Sequence, residues 1–265
     1  MIKVLLVLLL IFVLYVVFGV SNKIKVRKDT IKTPKVSKEV KLAVISDLHA
    51  FMFGSDYDDI FNILKEEKVD AVLLPGDIFD NNERIVNSYR FITLLKDYKT
   101  YFSLGNHEYR ILNFNEAIKV MKDNGVHYLF DEKESLNDEI DIIGIKDVWR
   151  EKRSEEETAK IVNNLIDKNK FNILLSHRPN YIKLYENSNA DLVISGHTHG
   201  GQWRIPFIDI PVYGPDQGVF PKYAKGIHKK GNSLCYVSAG LATGRIYLPR
   251  LYNPSEVGII TILPE

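Results

Sequence analysis

Five apolar runs in this chain end in the same way, passing without a spacer into a cluster of Asp, Asn and His. Leu42-Ala43-Val44-Ile45-Ser46 leads into Asp47-Leu48-His49, and Ala71-Val72-Leu73-Leu74 leads through Pro75-Gly76 into Asp77-Ile78-Phe79-Asp80. Thr100-Tyr101-Phe102-Ser103-Leu104 leads into Gly105-Asn106-His107-Glu108, Asn172-Ile173-Leu174-Leu175-Ser176 into His177, and Leu192-Val193-Ile194-Ser195 into Gly196-His197-Thr198-His199. A short apolar run bounded by turn signals reads as a buried strand. A carboxylate at the end of such a strand is costly unless something positive meets it, and for Asp77 the candidate is a metal ion. In open α/β sheets ligands bind beyond the carboxyl ends of the strands, so the pattern predicts five strand ends converging on one site.

The windows between these runs carry helical periodicity. A helix is predicted over 56–68, with Ile60, Phe61 and Leu64 on one stripe, and another over 82–95. A third, over 117–124, is entered through Asn113-Phe114-Asn115-Glu116 and stopped by Gly125. Ser154-Glu155-Glu156-Glu157 is a capping box opening a fourth, which runs on through Ile161, Val162, Leu165 and Ile166. Further strands are expected at 126–130, 139–145, 234–238 and 257–262, making the second half strand-rich. Residues 200–231 are broken by Pro206, Pro211, Gly214, Pro215, Gly218, Pro221 and Gly226 and carry Trp203, Phe207, Tyr213, Phe220 and Tyr223. Such a segment is either a functional lid or a pair of irregular hairpins packed by their own aromatics.

The amino-terminal residues are a different material. Residues 4–20 form an unbroken apolar run, mild exceptions being Tyr15 and Gly19, with the roughly 17 residues that a helix needs to cross a bilayer core. Residues 1–21 are therefore expected to be a retained transmembrane anchor, the alternative being a cleaved signal sequence. Residues 22–40, with Lys23, Lys25, Arg27, Lys28, Lys32, Lys35 and Lys38, are expected to be a basic linker lying along anionic headgroups. The remaining span, 41–265, suffices for one globular domain. A net charge of +1 over 265 residues offers no polyanion-binding signature, so nucleic acid is not expected as a partner. The single cysteine, Cys235, cannot form an internal disulfide and reads as a small buried thiol.

The candidate ligands in chain order are Asp47, His49, Asp77, Asn106, His177, His197 and His199. Seven oxygen and nitrogen groups exceed what one tetrahedral zinc requires and suit two ions sharing a bridge. Asp77 is the natural bridge, since its two carboxylate oxygens can touch two cations. Glu108 reads as structural, and His127 and His228 as ordinary loop or surface residues. Arg178, Arg204, Arg245 and Arg250 are open as phosphate or carboxylate binders.

Taken together, Asp47-Leu48-His49, Gly76-Asp77-Ile78-Phe79-Asp80, Gly105-Asn106-His107-Glu108, His177 and Gly196-His197-Thr198-His199 resemble, in order, the five signature blocks of the calcineurin-like metallophosphoesterases. Gly196 to Gln202, His177-Arg178-Pro179 and Asn253-Pro254-Ser255-Glu256 are further similar to the membrane-associated, YkuE-like bacterial branch. The resemblance runs from about residue 40 to the end. It implies a four-layer α-β-β-α sandwich of two mixed sheets, and it places Asp47, His49 and His199 on one divalent ion and Asn106, His177 and His197 on another, with Asp77 shared. Manganese is the expected metal, with iron, zinc or nickel as alternatives. The resemblance also implies a hydroxide held between the ions as nucleophile, His107 as general acid and Asp80 as the group that orients it.

The expected function is hydrolysis of a phosphodiester or pyrophosphate, with a membrane-associated or lipid-linked substrate such as a nucleotide-sugar lipid. Alternatives are a phosphomonoesterase or a non-catalytic, membrane-tethered binding module; His107 speaks against the latter, since a structural site has no use for an added acid. Family protein phosphatases carry an Arg-Gly pair after the second block, where this chain has Asn81-Asn82. Seven Lys or Arg follow the apolar run, with only Lys3 and the amino terminus before it. By the positive-inside rule this predicts a single-pass protein with its catalytic domain in the cytoplasm. The exported branch members argue the other way, although no Arg-Arg pair precedes Val4.

Overall fold

A computed structural model describes residues 2–21, 23–80, 84–242, 244–245 and 248–265. The first half alternates as expected. After α1 (Ile2–Gly19) and β1 (Lys25–Thr33) come β2 (Val40–Val44), α2 (Asp58–Glu67), β3 (Ala71–Leu74), α3 (Ile85–Leu94), β4 (Thr100–Phe102), α4 (Phe114–Asp123) and β5 (Val126–Tyr128). The second half contains β6 (Glu132–Ser135), β7 (Ile140–Gly144), α5 (Glu155–Leu165), β8 (Phe171–Leu175), α6 (Ile182–Asn187) and β9 (Leu192–Ser195). It continues with the two-residue strands β10 (Arg204–Ile205), β11 (Ile210–Pro211), β12 (Tyr213–Gly214) and β13 (Gly218–Val219), followed by β14 (Gly226–Lys230) and β15 (Ser233–Val237). A small ribbon, β16 (Gly244–Arg245) with β17 (Leu248–Pro249), precedes the last strand, β18 (Glu256–Pro264).

The strands form two six-stranded mixed sheets, in the orders β1-β18-β2-β3-β4-β5 and β14-β15-β9-β8-β7-β6. Side-chain alternation along each strand sorts the core into three layers. Leu42, Val44, Leu73 and Tyr101 point from the first sheet toward Ile142, Ile173 and Ile194 of the second. Their sequence neighbours Ala43, Ile45, Val72 and Phe102 point the other way, onto Leu64, Phe91 and Met121 of α2, α3 and α4. On the far side, Ile143, Leu174, Val193 and Cys235 meet Val162 of α5 and Leu184 of α6. The molecule is thus the expected four-layer α-β-β-α sandwich. The capping box at Ser154 forms, with the Glu157 amide donating to the Ser154 hydroxyl at 3.1 Å and the Ser154 amide to the Glu157 carboxylate at 2.9 Å. Burial pushes the Cys235 thiol up to about 11, an inert small core residue.

The stretch 22–40 is not a linker. Within it, β1 runs parallel to β18 over nine register pairs, from Lys25 opposite Glu256 to Thr33 opposite Pro264, and closes one edge of the first sheet. Its Lys and Arg content reflects that edge position, since charged side chains suit a strand whose outer backbone faces water. Arg27 is more than a surface charge: it pairs with Asp29 at 2.8 Å and stacks over the Tyr236 ring at 4.4 Å. Composition pointed to a linker because only Ile31 and Thr33 of this strand are buried. The expected helix start at Asn82, like the Asn81-Asn82 pair, falls outside the described residues; α3 is described from Ile85. Besides β1, the exposed strand β6, the six-residue α6 and β14, which falls inside residues 200–231, were missed.

The described residues include one helix, α1, long and apolar enough to cross a membrane, a test that a signal sequence also passes. The domain boundary can be tested directly. A chain shortened to begin at Lys23 should stay monodisperse and unfold cooperatively in urea, whereas one beginning at Lys41 leaves the edge of β18 unpaired and should aggregate or unfold at a clearly lower midpoint. Equal midpoints would show that β1 contributes nothing.

Candidate dinuclear metal centre

Both sheets present the carboxyl ends of their parallel strands at one edge, and all five polar clusters meet there. The loops after β2, β3 and β4 bring Asp47, His49, Asp77, Asn106 and His107; those after β8 and β9 bring His177, His197 and His199. Asp47, His49 and His199 form one group whose donor atoms lie within 4.8 Å of one another, and Asp77, His177 and His197 form another. Asp77 also groups with His49 and His107, which places its carboxylate between the two. All seven expected ligands therefore lie in one cluster, with Asn106 buried on the wall of the same cavity.

The backbone bends sharply to achieve this. Asp47, His49, Asp77, His197 and His199, five of the seven, hold positive φ angles between 48° and 71°. Such conformations cost of order 1–3 kcal/mol each outside glycine and persist where the surroundings over-determine them. At Asp77 much of that restraint comes from Glu108. Its buried carboxylate accepts the backbone N–H groups of Asp77 at 3.0 Å, Ile78 at 2.8 Å, Phe79 at 3.1 Å and Gly105 at 2.9 Å. The two ligand loops are thereby stapled to one side chain. They approach so closely that a Cβ on Gly76, itself at φ 102°, would collide with the Gly105 backbone. The carboxy-terminal Asn253-Pro254-Ser255-Glu256 motif does similar work on the other side. Asn253 donates to the His199 carbonyl at 2.6 Å, Ser255 to the Leu241 carbonyl at 2.8 Å, and Glu256 accepts the Ala239 amide at 3.2 Å.

Hydrogen bonds to the outer ring nitrogens decide which nitrogen of each histidine faces the cluster. His177 Nδ1 bonds the Pro75 carbonyl at 3.0 Å, leaving Nε2 at 3.0 Å from Asp77. His197 Nε2 bonds Asp216 at 2.9 Å, leaving Nδ1 at 3.2 Å from His177 Nε2. Asp80 serves two rings at once, His107 Nδ1 at 2.9 Å and His49 Nδ1 at 3.4 Å.

The electrostatics fit cations. Burial pushes the Asp77 carboxyl up, but His177, His49 and His107 pull it well below the usual carboxylate range. Asp47 is likewise lowered against its burial, by His199 and His177. Burial drives His199 down to about 3 and lowers His197, both toward the neutral imidazole, whereas His49, although burial opposes its charge, is raised by Asp80 and Asp77. Ionised carboxylates and neutral imidazoles are the protonation states that bind metal. Although burial disfavours its cation, Asp77 pushes His177 up to about 10. Three buried ligand atoms, Asp47 Oδ2, His49 Nε2 and Asn106 Oδ1, have no hydrogen-bond partner. Buried polar atoms in proteins are nearly always paired, and these three belong to expected ligands, so the donor set fits two divalent ions.

The cluster opens into a cavity of about 320 Å³ whose wall includes Arg110, Trp149, Arg150, Arg178, Pro215 and Asp216. Of the arginines left open from the sequence, Arg178 is the one that reaches it, paired with Asp147 at 2.7 Å and with Asp216. Arg204 is spent on Asp209 and the Gly200 carbonyl, and Arg250 on the carbonyls of Ala239, Gly240 and Pro254. The Arg245 side chain lies outside the described residues. His127 pairs with Glu134 and His228 with the Lys225 carbonyl, and neither is in the cluster. Arg110, Trp149, Arg150 and Asp216 were not anticipated. The strand-end rule applied to β7 would have found Trp149 and Arg150, which sit in the loop after it. Residues 200–231 contain two hairpins, as the second reading expected, but Phe207, Tyr213 and Phe220 are exposed and, among the described residues, not packed on one another, and the second hairpin carries Asp216 to the pocket.

Glu108→Gln would set an amide NH₂ against two of the four backbone N–H donors. It should lower stability by about 1–3 kcal/mol in urea unfolding and reduce metal content by elemental analysis. An unchanged midpoint would remove Glu108 from its stapling role.

Comparison with known proteins supplies the wider context. Residues 40–201 match the model of the calcineurin-like phosphoesterase family. An uncharacterized metallophosphoesterase of Campylobacter jejuni is 30% identical over 270 residues, covering 97% of this chain and 68% of its own length. The chain thus spans about two thirds of that relative. The uncharacterized metallophosphoesterase YkuE of Bacillus subtilis is 28% identical over 260 residues, covering 91% of this chain and 86% of its own. The phosphodiesterase YaeI of Escherichia coli is 26% identical over 236 residues, covering 84% and 82% respectively.

Proposed function

The chain belongs to the calcineurin-like phosphoesterase family and is a hydrolase of phosphoester bonds with a dinuclear metal centre; from that premise we propose that its substrate is a phosphodiester or pyrophosphate, carried on a lipid, and that His107 is the general acid. In this reading Asp47, His49 and His199 would hold one ion and Asn106, His177 and His197 the other, with Asp77 shared between them. Manganese suits this mix of carboxylate, amide oxygen and imidazole. Bound there, the two ions would polarise the phosphoryl oxygens and activate water.

The observation that carries the reading is the His107–Asp80 pair at 2.9 Å, set on the rim of the cluster. Asp80 accepts from Nδ1, so the His107 imidazole presents Nε2 to the cavity, where it can hand a proton to a leaving oxygen. Asp80 is itself held far below the usual carboxylate range, because hydrogen bonds from His107 and His49 outweigh its burial. It therefore remains an acceptor and stabilises the imidazolium. The His107 amide donates to Asp77 Oδ1 at 2.8 Å, which ties the acid to the bridging carboxylate. Asp216 supports a diester over a monoester: with its carboxyl drawn down to about 2 by His197, it adds a fixed negative charge beside Arg178. That charge tolerates a monoanionic diester better than a dianionic monoester. Trp149 and Pro215 leave an apolar wall for a second substituent on phosphorus.

The test is a screen of the full chain in detergent, loaded with Mn²⁺, against chromogenic mono- and diesters, nucleotide sugars and lipid pyrophosphates. Diester or pyrophosphate turnover above monoester turnover is expected, and the reverse order would overturn the assignment. His107→Asn should keep both ions while turnover falls by about 10² to 10⁴. The loss should shrink for nitrophenolate, which leaves without a proton; an equal loss for all leaving groups would mean positioning instead. Asp77→Asn should lose metal and activity together, because a neutral amide cannot bridge two cations equally. Two tightly held ions in that variant would sink the bridge.

A further inference from the structure

Outside the metal cluster, the most conspicuous unexplained feature of the surface is apolar. The turn between β10 and β11 leaves Phe207 fully exposed and Ile208 61% exposed, and the hairpin β12–β13 adds Tyr213 at 54%, Val219 at 66% and Phe220 at 61%. These aromatics do not pack on one another: among the described residues, Phe207, Tyr213 and Phe220 make no ring contact. The two hairpins are one unit, since the Val212 amide donates to the Trp203 carbonyl at 2.8 Å and the Phe220 amide to the Val212 carbonyl at 3.0 Å. Exposed large apolar side chains gathered on neighbouring hairpins mark a partner or a membrane.

The seating of α1 indicates which. The Gly19 carbonyl accepts the Tyr252 amide at 2.7 Å, and Gly19 lies so close that a Cβ would stand 2.8 Å from the Tyr252 ring. One turn earlier, the Tyr15 hydroxyl donates to the Arg204 carbonyl at 2.9 Å, while its ring sits 5.0 Å from that of Tyr252. Passing from Gly19 to Tyr15 along α1, the contact on the domain passes from Tyr252 to Arg204. Arg204, three residues before Phe207, is thereby seated against the last turns of α1, which sets the first hairpin next to the end of that helix. The side chains of α1 from Ile2 to Leu14 described as large hydrophobics are 44–73% exposed, an apolar surface that a bilayer core would cover. At about 1.5 Å per residue, the 18 residues of α1 span a bilayer core.

Charge agrees with the same occupant. Asp209, the acid at the first hairpin's turn, is neutralised by Arg204 at 2.5 Å and Lys225 at 3.3 Å. Exposed Lys23 and Lys25 follow α1, and exposed Lys222 follows Phe220, at positions suited to anionic headgroups.

We propose that the paired hairpins β10–β11 and β12–β13 dip into the interfacial layer of the bilayer that α1 crosses. The pocket, walled by Pro215 and Asp216 of the second hairpin, then opens at headgroup depth, where the phosphoester of an amphiphile would enter without leaving the membrane. The docking claim is independent of the phosphoesterase reading, because its test involves no turnover.

Phe207→Cys and, separately, Phe220→Cys in the full chain would be labelled with an environment-sensitive fluorophore, Cys235 being buried, and reconstituted into phosphatidylcholine–phosphatidylglycerol vesicles. Spin-labelled lipids bearing the nitroxide near the top of the acyl chain should quench both labels several-fold more than a label at Lys168→Cys, which precedes the amino end of β8, away from the pocket. Retained metal content would show that each variant is folded, and two positions guard against the failure of one. Quenching no greater than at position 168 overturns the proposal. Absent quenching with energy transfer between labelled copies would mean that the patch is covered by a second chain, which also overturns it.

Discussion

The whole site depends on one buried carboxylate that touches no candidate ion. Glu108 gathers four backbone N–H groups from the loops after β3 and β4, and those loops carry Asp77, Asn106, His107 and Asp80. Burial pushes its carboxyl up to about 7, with the nearby Asp77 charge adding to the rise and the amide donors opposing it. A carboxylate in such a place is stable only because the donors are fixed, and the donors are fixed only because it is there. Asp77 and His107 are thereby held in one fixed relation to each other.

Around that staple the chain separates two jobs that histidine does equally well. At His177 and His197 the outer nitrogen is occupied by Pro75 or Asp216 and the inner one faces Asp77 and its neighbours. At His107 the occupied nitrogen points to Asp80, and the free one faces the cavity where substrate would lie. The ring is the same in each case; under the proposed function the hydrogen-bond partner decides whether it would serve as a ligand or as an acid. Asp80 couples the two roles by bonding His49 as well as His107.

A single segment links the site to the surface proposed to meet the membrane. Residues 200–231 start at the end of the ligand loop bearing His197 and His199, pass Arg204 where α1 is seated, expose the apolar hairpin turns, and return Asp216 to His197. The end of α1, the apolar surface and the pocket are neighbours because each is met in turn along one stretch of chain.

Much of this was legible in the sequence, for physical reasons. Strand ends could be read because a run such as Ala71 to Leu74 must be buried on both faces, and a carboxylate following it needs a counter-charge wherever the strand lies. Three or four residues of periodicity sufficed for α2 and α5, whose apolar stripes and cap are local properties. The seven candidate ligands followed from residue type and position alone. What the sequence could not decide is everything that depends on pairing across distance. Lys25 to Thr33 looked like a basic linker because an edge strand carries solvated charges, and only its register with β18 makes it part of the sheet. Arg178 reached the cavity while Arg204 and Arg250 were consumed by carbonyls, although nothing local distinguishes the three. Asp216 joined the site from a hairpin with no motif of its own, and Glu108 became a staple because two loops, 30 residues apart, fold onto it. Such roles are set by which backbone groups lose water together, and only the folded chain settles that.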